Sequence, residues 1–219
     1  MRPFAEVAGR RYHRCGACAA TFLDPAQRPD RAAERAHYLT HRNDAADPGY
    51  RRFAARLADP LAARLAPGAA VLDFGAGASS ALGALLAEAG ARVASYDPLF
   101  APDPAPLARR YAAVAAAEVV EHLHHPARTF RLLARLVRPG GTLAVTTCFQ
   151  TDDARFAGWW YRRDPTHVVF YRARTFRHLA ARLGWSCAIP AKDVVVLRRP
   201  APWPACGAPD RVRPAGPNP

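Results

Sequence analysis

The stretch Ala117–Pro126 reads AEVVEHLHHP and sets Glu118, Glu121, His122, His124 and His125 within eight residues, directly after the apolar run YAAVAA. If the segment turns helically, Glu118, Glu121 and His122 share one face. Two carboxylates and an imidazole converging there are costly unless a positive charge sits between them. A divalent cation meets that need, and oxygen and nitrogen donors suit Mg²⁺, Mn²⁺ or Zn²⁺. His167, in DPTHVVFY, could supply a fourth ligand from the adjacent loop. The same residues also support chemistry without a metal, in which Glu118 touches a cofactor and His122 or His167 serves as a general base. His124 and His125 are expected at the surface.

A second constellation lies upstream. In VLDFGAGASS, Asp73 closes an apolar run, and Gly75 and Gly77 make a tight turn before a helix. Glycine's missing β-carbon lets the backbone come close to a ligand. Asp97 ends the next apolar run, 20 residues after Gly77, where a carboxylate can accept hydrogen bonds from ribose hydroxyls. Asp73 would repel a dinucleotide's pyrophosphate and suits a cofactor carrying an ammonium and a sulfonium. Ser80 stands where a dinucleotide fingerprint has its third glycine, which also argues against a nicotinamide oxidoreductase.

Near the amino terminus, Cys15 and Cys18 have zinc-knuckle spacing, and His37 and His41 lie one helical turn apart. Together they would make a Cys₂His₂ site. The long intervening gap leaves open two free thiols and histidines that line a substrate pocket. Residues 149–171 are dense in aromatics: Phe156, Trp159, Trp160, Tyr161, Phe170 and Tyr171. With Arg162, Arg163 and Asp164 they are expected to wall a pocket for a planar or sugar-like acceptor, or to be core.

These residues need elements to hold them. AAVLDF, ARVASY, YAAVAA and GTLAVTT read as strands, separated by the helical patterns SSALGALLAEAG and ARTFRLLARLV. RTFRHLAARLG is a late helix, and SCAIP and DVVVLR could pair as an antiparallel end of the sheet. Alternating strands and helices imply an α/β fold with a mainly parallel sheet covered on both faces, and ligands at the carboxyl ends of its strands. The chain divides into residues 1–67, helical in pattern with little strand signal; a core at 68–199; and a Pro-rich tail at 200–219, expected to be disordered.

Composition bounds the function. The 219 residues fit one domain with additions at its ends. No apolar run approaches the ~20 residues of a membrane span, and MRPFAEVAGRRYHRC has no apolar signal core, so the cytoplasm is the expected location. The net charge is +13, with Lys192 the single lysine. The arginines are scattered without a long basic tract, so nucleic acid is possible as a partner but is not favoured over a small molecule.

VLDFGAG, ASYDP, AEVVEHL, LVRPGGTLAVTT and DPTHVVFY together resemble class I S-adenosylmethionine-dependent methyltransferases over about residues 50–199. The resemblance implies a Rossmann-like, seven-stranded sheet with a reversed final hairpin. It implies that Asp73, Gly75 and Gly77 contact the methionine part of S-adenosyl-L-methionine and Asp97 its ribose. Ser79 departs from the pattern, since many members carry a glycine there. Glu118, Glu121, His122 and His167 are similar to residues that hold a metal in ubiquinone-pathway O-methyltransferases and small-RNA 2′-O-methyltransferases. YHRCGACAATFLDP looks like the leader of some bacterial methyltransferases with a short Cys-rich lid, which would place residues 30–66 as helices over the cofactor. The expected reaction is methyl transfer to a small molecule, at a hydroxyl; the alternatives are an RNA methyltransferase and a catalytically silent module that binds the cofactor.

Overall fold

The computed structural model describes residues 1–40 and 44–202. The chain opens with three strands, β1 (Arg2–Val7), β2 (Arg10–Arg14) and β3 (Thr21–Leu23). Two helices follow, α1 (Arg31–Tyr38) and α2 (Pro48–Ala62). Next come β4 (Ala70–Phe74), α3 (Ala81–Glu88), β5 (Arg92–Tyr96) and β6 (Tyr111–Ala117). The chain continues with α4 (Pro126–Leu136), β7 (Val137–Thr146), the short β8 (Val169–Phe170) and α5 (Ala173–Leu183). It closes on the hairpin β9 (Ser186–Ala191) and β10 (Val194–Arg198). Helices α1 and α2 start where the sequence provides side-chain caps: Asp30 accepts from Ala33 N at 2.8 Å and Asp47 from Tyr50 N at 2.6 Å.

The main sheet has the order β5-β4-β6-β7-β10-β9. Its first four strands run parallel, and β10 and β9 are antiparallel. It therefore has six strands where seven were expected. The missing strand would lie outside β5, but Pro98, Pro102, Pro104 and Pro106 follow β5 in YDPLFAPDPAP. Proline has no N–H to give a ladder, so this stretch returns to β6 through only a 3₁₀ turn at Ala105–Ala108.

Side chains alternate across the sheet. Val71, Ala113, Ala115 and Ala144 face α2 and α3, meeting Leu57, Leu61, Leu82 and Leu86. Leu72, Val114, Leu143 and Val195 face the other way, toward Phe130 and Leu133 of α4 and Phe176 of α5. Alanine is a poor strand former. In β6 it is held by ladders on both sides, and its small side chains let α2 and α3 lie close.

The N-terminal region carries more strand than its sequence pattern indicates. Ala8 and Gly9, both at positive φ, turn β1 into β2, the backbone a two-residue hairpin requires. β3 then pairs with β8, and the four strands form a second sheet, β1-β2-β3-β8. The segment is thereby joined to residues 168–170 of the core. Residues 203–219, most of the tail expected to be disordered, lie outside the described residues.

Ala115 is fully buried against α2 and α3. Ala115→Leu is expected to cost about 1–3 kcal/mol of unfolding free energy by overpacking this face. Urea denaturation checks this, and a variant within ~0.5 kcal/mol of wild type would contradict the packing described.

Candidate active site

The site forms at the carboxyl ends of β4, β5 and β6, where strand order reverses. Gly75 and Gly77 take positive φ (78° and 64°). A β-carbon on Gly75 would lie 2.5 Å from Val119 Cγ2, so only glycine fits there. A β-carbon on Gly77 would meet nothing within 4 Å, which leaves open space beside the turn. Asp97 ties the turn to the end of β5: its Oδ2 accepts from Gly77 N at 3.0 Å, and its Oδ1 from Leu99 N and Phe100 N at 2.8 and 3.0 Å. Those bonds use three of the roughly four acceptor positions of a carboxylate.

Asp73 is 2% exposed and accepts a short hydrogen bond from the Ser80 hydroxyl, which caps α3 through Gly83 N at 2.9 Å. Burial raises its pKa to about 6, and the charge of Asp97 adds to the rise, against the hydrogen bonds from Ser80 and Gly83. One hydrogen bond ties the helical N-terminal segment to the turn: Ser79 accepts from Ala45 N at 3.2 Å. Tyr50 of α2 has its pKa raised by burial and, to a lesser degree, by the charge of Asp73. Neither arrangement is indicated by the spacing of the glycine motif.

Glu118 leaves β6 with φ 52°, a left-handed conformation uncommon outside glycine, and Val120–His122 forms one 3₁₀ turn. The turn buries Glu121 completely. Tyr161 Oη lies 2.6 Å from Glu121 Oε1, 2.9 Å from Glu118 Oε2 and 3.2 Å from Thr147 Oγ1. A phenol has one proton to donate, so two ionised carboxylates cannot both be satisfied by it. Burial raises the pKa of both, Glu121 well above the usual range with Glu118's charge adding to the effect. The second oxygen of Glu121, Oε2, is buried with no hydrogen-bond partner.

His122 and His167 stand beside this pair, their rings 4.7 Å apart. His122 Nδ1 is 3.1 Å from Thr166 O, and His167 Nδ1 is 2.7 Å from Tyr161 O. A carbonyl only accepts, so each Nδ1 carries hydrogen and each neutral ring has its basic lone pair on Nε2. Glu121, His122 and His167 each offer a ligating atom, all within 4.8 Å of one another. Glu118, expected in the same set, is held by Tyr161 and stands outside that group.

The N-terminal candidates fall elsewhere. His37 Nε2 is 3.2 Å from Asp164 Oδ2, and Cys15, Cys18 and His37 do not come together as ligands among the described residues; His41 lies outside them. Helix α1 instead covers the acidic stretch. Tyr38 packs edge-on to His122 at 5.2 Å, and Glu34 Oε1 sits 2.9 Å from His124 Nε2. His124 is therefore engaged by α1, while His125 is exposed as expected. The aromatic segment is largely core rather than pocket wall. Phe156, Phe170 and Tyr171 are at most 2% exposed: Tyr12 of β2 packs against Phe156 and Phe170, Phe130 and Phe176 pack against Tyr171, and of this segment's aromatics Trp160 alone is well exposed. The role of the Tyr161 hydroxyl had no signal in the sequence, where it reads as one aromatic among six.

A glycine turn with flanking carboxylates, at the switch point of a parallel sheet, defines a nucleotide-binding α/β protein. A methyltransferase domain family matches residues 18–188, so the chain belongs to that family and is a class I S-adenosylmethionine-dependent methyltransferase. No curated protein matches the sequence significantly. Among solved structures, the fold is similar to the Burkholderia thailandensis 1,6-didemethyltoxoflavin-N1-methyltransferase with bound 1,6-didemethyltoxoflavin and S-adenosylhomocysteine. That match has a TM-score of 0.57 at 18% identity, over 91% of this chain and all of the other. It is also similar to the magnesium protoporphyrin IX methyltransferase of Synechocystis PCC 6803 with bound SAM, at TM-score 0.54 and 16% identity, over 78% of this chain and 92% of the other. No helix among the described residues is long and apolar enough to cross a membrane.

Asp73 sets a pH dependence. Its folded pKa, about 6, lies above the ordinary 3.8, so the protonated form favours the fold. That contribution is complete below pH ~3.8 and is lost as pH rises through about 6, an effect on the order of 3 kcal/mol. Glu118 and Glu121 act in the same direction. Ligand-free Asp73→Asn should therefore lose clearly less stability than wild type between pH 4 and 7; equal losses in denaturation curves would contradict this reading.

Proposed function

We propose that the protein transfers a methyl group from S-adenosyl-L-methionine to a hydroxyl of a small molecule. The observation that carries the reading is the open Gly75–Gly77 turn flanked by the buried Asp73 and by Asp97. Asp73, once ionised, offers a negative charge to the cofactor's ammonium and sulfonium. Asp97 retains one acceptor position on Oδ2, which suits one ribose hydroxyl rather than two. Glu118 lies between this turn and the acceptor side, and its left-handed backbone points to a functional constraint.

On the acceptor side, His122 and His167 direct Nδ1 at backbone carbonyls, which orients both rings and makes Nε2 the basic atom of the neutral form; Asp164 Oδ2 lies 3.8 Å from His167 Nε2 and would stabilise that ring once it takes the proton of an attacking hydroxyl. The donor set also fits a divalent metal: the bare, buried Glu121 Oε2 and two carbonyl-oriented imidazoles are what such an ion requires. Glu121, His122 and His167 would hold it, with Glu118 beside them. A bound Mg²⁺, Mn²⁺ or Zn²⁺ would lower the pKa of the acceptor hydroxyl and orient it. Helix α1, with Tyr38 on His122 and Glu34 at His124, shields these groups from water.

The reading is tested with methyl-labelled S-adenosyl-L-methionine and a protein-free metabolite extract, the labelled product being identified by mass spectrometry. Wild type should label a small molecule, and Glu121→Ala should reduce that rate at least tenfold while losing calorimetric binding of Mn²⁺ or Zn²⁺. Identical flat metal titrations for the two proteins would leave His122 and His167 as metal-free bases. Cofactor binding without any labelled product would favour a silent binding module.

A further inference from the structure

A cavity of about 480 Å³, whose lining includes no residue of the glycine turn, is bordered by Arg2, Arg14, Arg172, Arg174, Cys15 and Gln150 among others. Its charge is unusual. Arg14 and Arg172 both place an Nη2 on the same oxygen of Asp153, which also accepts from Gln150 Nε2 at 3.0 Å. One carboxylate, itself half exposed, thus serves two guanidiniums, and Arg2 and Arg174 add two further charges at the rim.

Two observations point to an anion as the cavity's ligand. The Arg14 side chain is only 7% exposed, and its Nε is buried without an acceptor, as is Nε of Arg172. A buried charged donor left unmet is costly, more so than a neutral one. The cavity also receives the N-terminus of α5, whose Ala173 and Arg174 line it. A helix N-terminus carries partial positive charge and favours acidic residues or bound anions. Here the N-cap is Arg172, Arg174 follows, and the first turn has no acidic residue. Asp153 offsets only part of the positive charge that these arginines and the helix end concentrate here, and a bound anion would offset more of it.

We propose that this cavity is a binding site for a phosphate dianion, free or carried by a small organic monoester. Arg14 and Arg172 supply guanidinium N–H donors from below, Arg174 and the α5 amides close one side, and Arg2 stands at the rim. A concave site with a buried guanidinium suits a terminal dianion better than a phosphodiester, whose monoanion is flanked by substituents on both sides. The proposal is independent of where the cofactor binds and of the methyl acceptor.

Cys15 provides a local reporter. A hydrogen bond from the Cys18 amide draws its thiol below the usual range against the effect of burial, which favours the reactive thiolate. Inorganic phosphate and glycerol 3-phosphate should each slow alkylation of Cys15, read by peptide mass spectrometry, relative to sodium chloride at equal ionic strength. Cys148 and Cys187 should show no such protection. Calorimetry should show Arg172→Gln and Arg174→Gln each weakening phosphate binding at least tenfold. Arg174 is exposed and makes one long contact, to Ala17 O at 3.4 Å, so its variant should fold even if changes at Arg172 disturb the core. Tighter binding of the ester than of inorganic phosphate would assign the site to a phosphorylated metabolite, and equal binding to the free ion. Protection by chloride equal to that by phosphate, dimethyl phosphate binding as well as inorganic phosphate, or an unchanged affinity in folded Arg174→Gln would overturn the proposal.

Discussion

Buried carboxylates with no arginine or lysine paired to them among the described residues are the constraint around which this protein is arranged. Asp73 and Glu121 are almost completely enclosed and Glu118 largely so, at the carboxyl ends of adjacent parallel strands. Among the described residues, none of the three forms an ion pair with arginine or lysine, although the chain carries 31 such residues. A charge in that position is tolerated only when protonated or when a cation arrives. The raised pKa values of all three express the first condition, and a sulfonium-bearing cofactor and a divalent ion would meet the second.

The fold supplies the enclosure. Alanines on β6 admit α2 and α3 closely on one face, and α4 and α5 close the other. The N-terminal segment then covers the mouth. Its β3 pairs with β8 beside Tyr161 and His167, while α1 lies over His122 and His124. The N-terminal strands and the loop carrying Tyr161 and His167 are one packed unit, with a shared aromatic core of Tyr12, Phe156 and Phe170 against which Tyr161 packs.

The parallel core and the glycine turn were legible because they rest on local signals. Apolar runs, Gly75, Gly77, and an aspartate after β5 each declare themselves within a few residues. So did the meeting of Glu121, His122 and His167, two of them adjacent in sequence and the third in a recognisable turn. What stayed hidden depends on long-range pairing. β3 has three residues and β8 two, too few for an alternating pattern, and they meet across almost the whole core. Glu118 shares a helical-turn spacing with Glu121 on paper, but it leaves β6 with a left-handed backbone and meets Glu121 at the Tyr161 hydroxyl rather than joining the cluster of Glu121, His122 and His167. The absent seventh strand could have been read from the prolines after Asp97, which deny that edge a ladder. The arginine cavity gave no motif, because Arg14 and Arg172 lie far apart in sequence and become neighbours only through β2 and the start of α5.

The most direct test of the central claim is a proton count on cofactor binding. Calorimetry of S-adenosyl-L-methionine binding at pH 6, in two buffers of different ionisation enthalpy, measures the protons released. A positively charged ligand meeting Asp73 with its pKa near 6 should expel a substantial fraction of one proton there, less at pH 8, and almost none at pH 6 in Asp73→Asn. Binding heats that do not depend on the buffer at pH 6, with the ligand bound, would contradict the account.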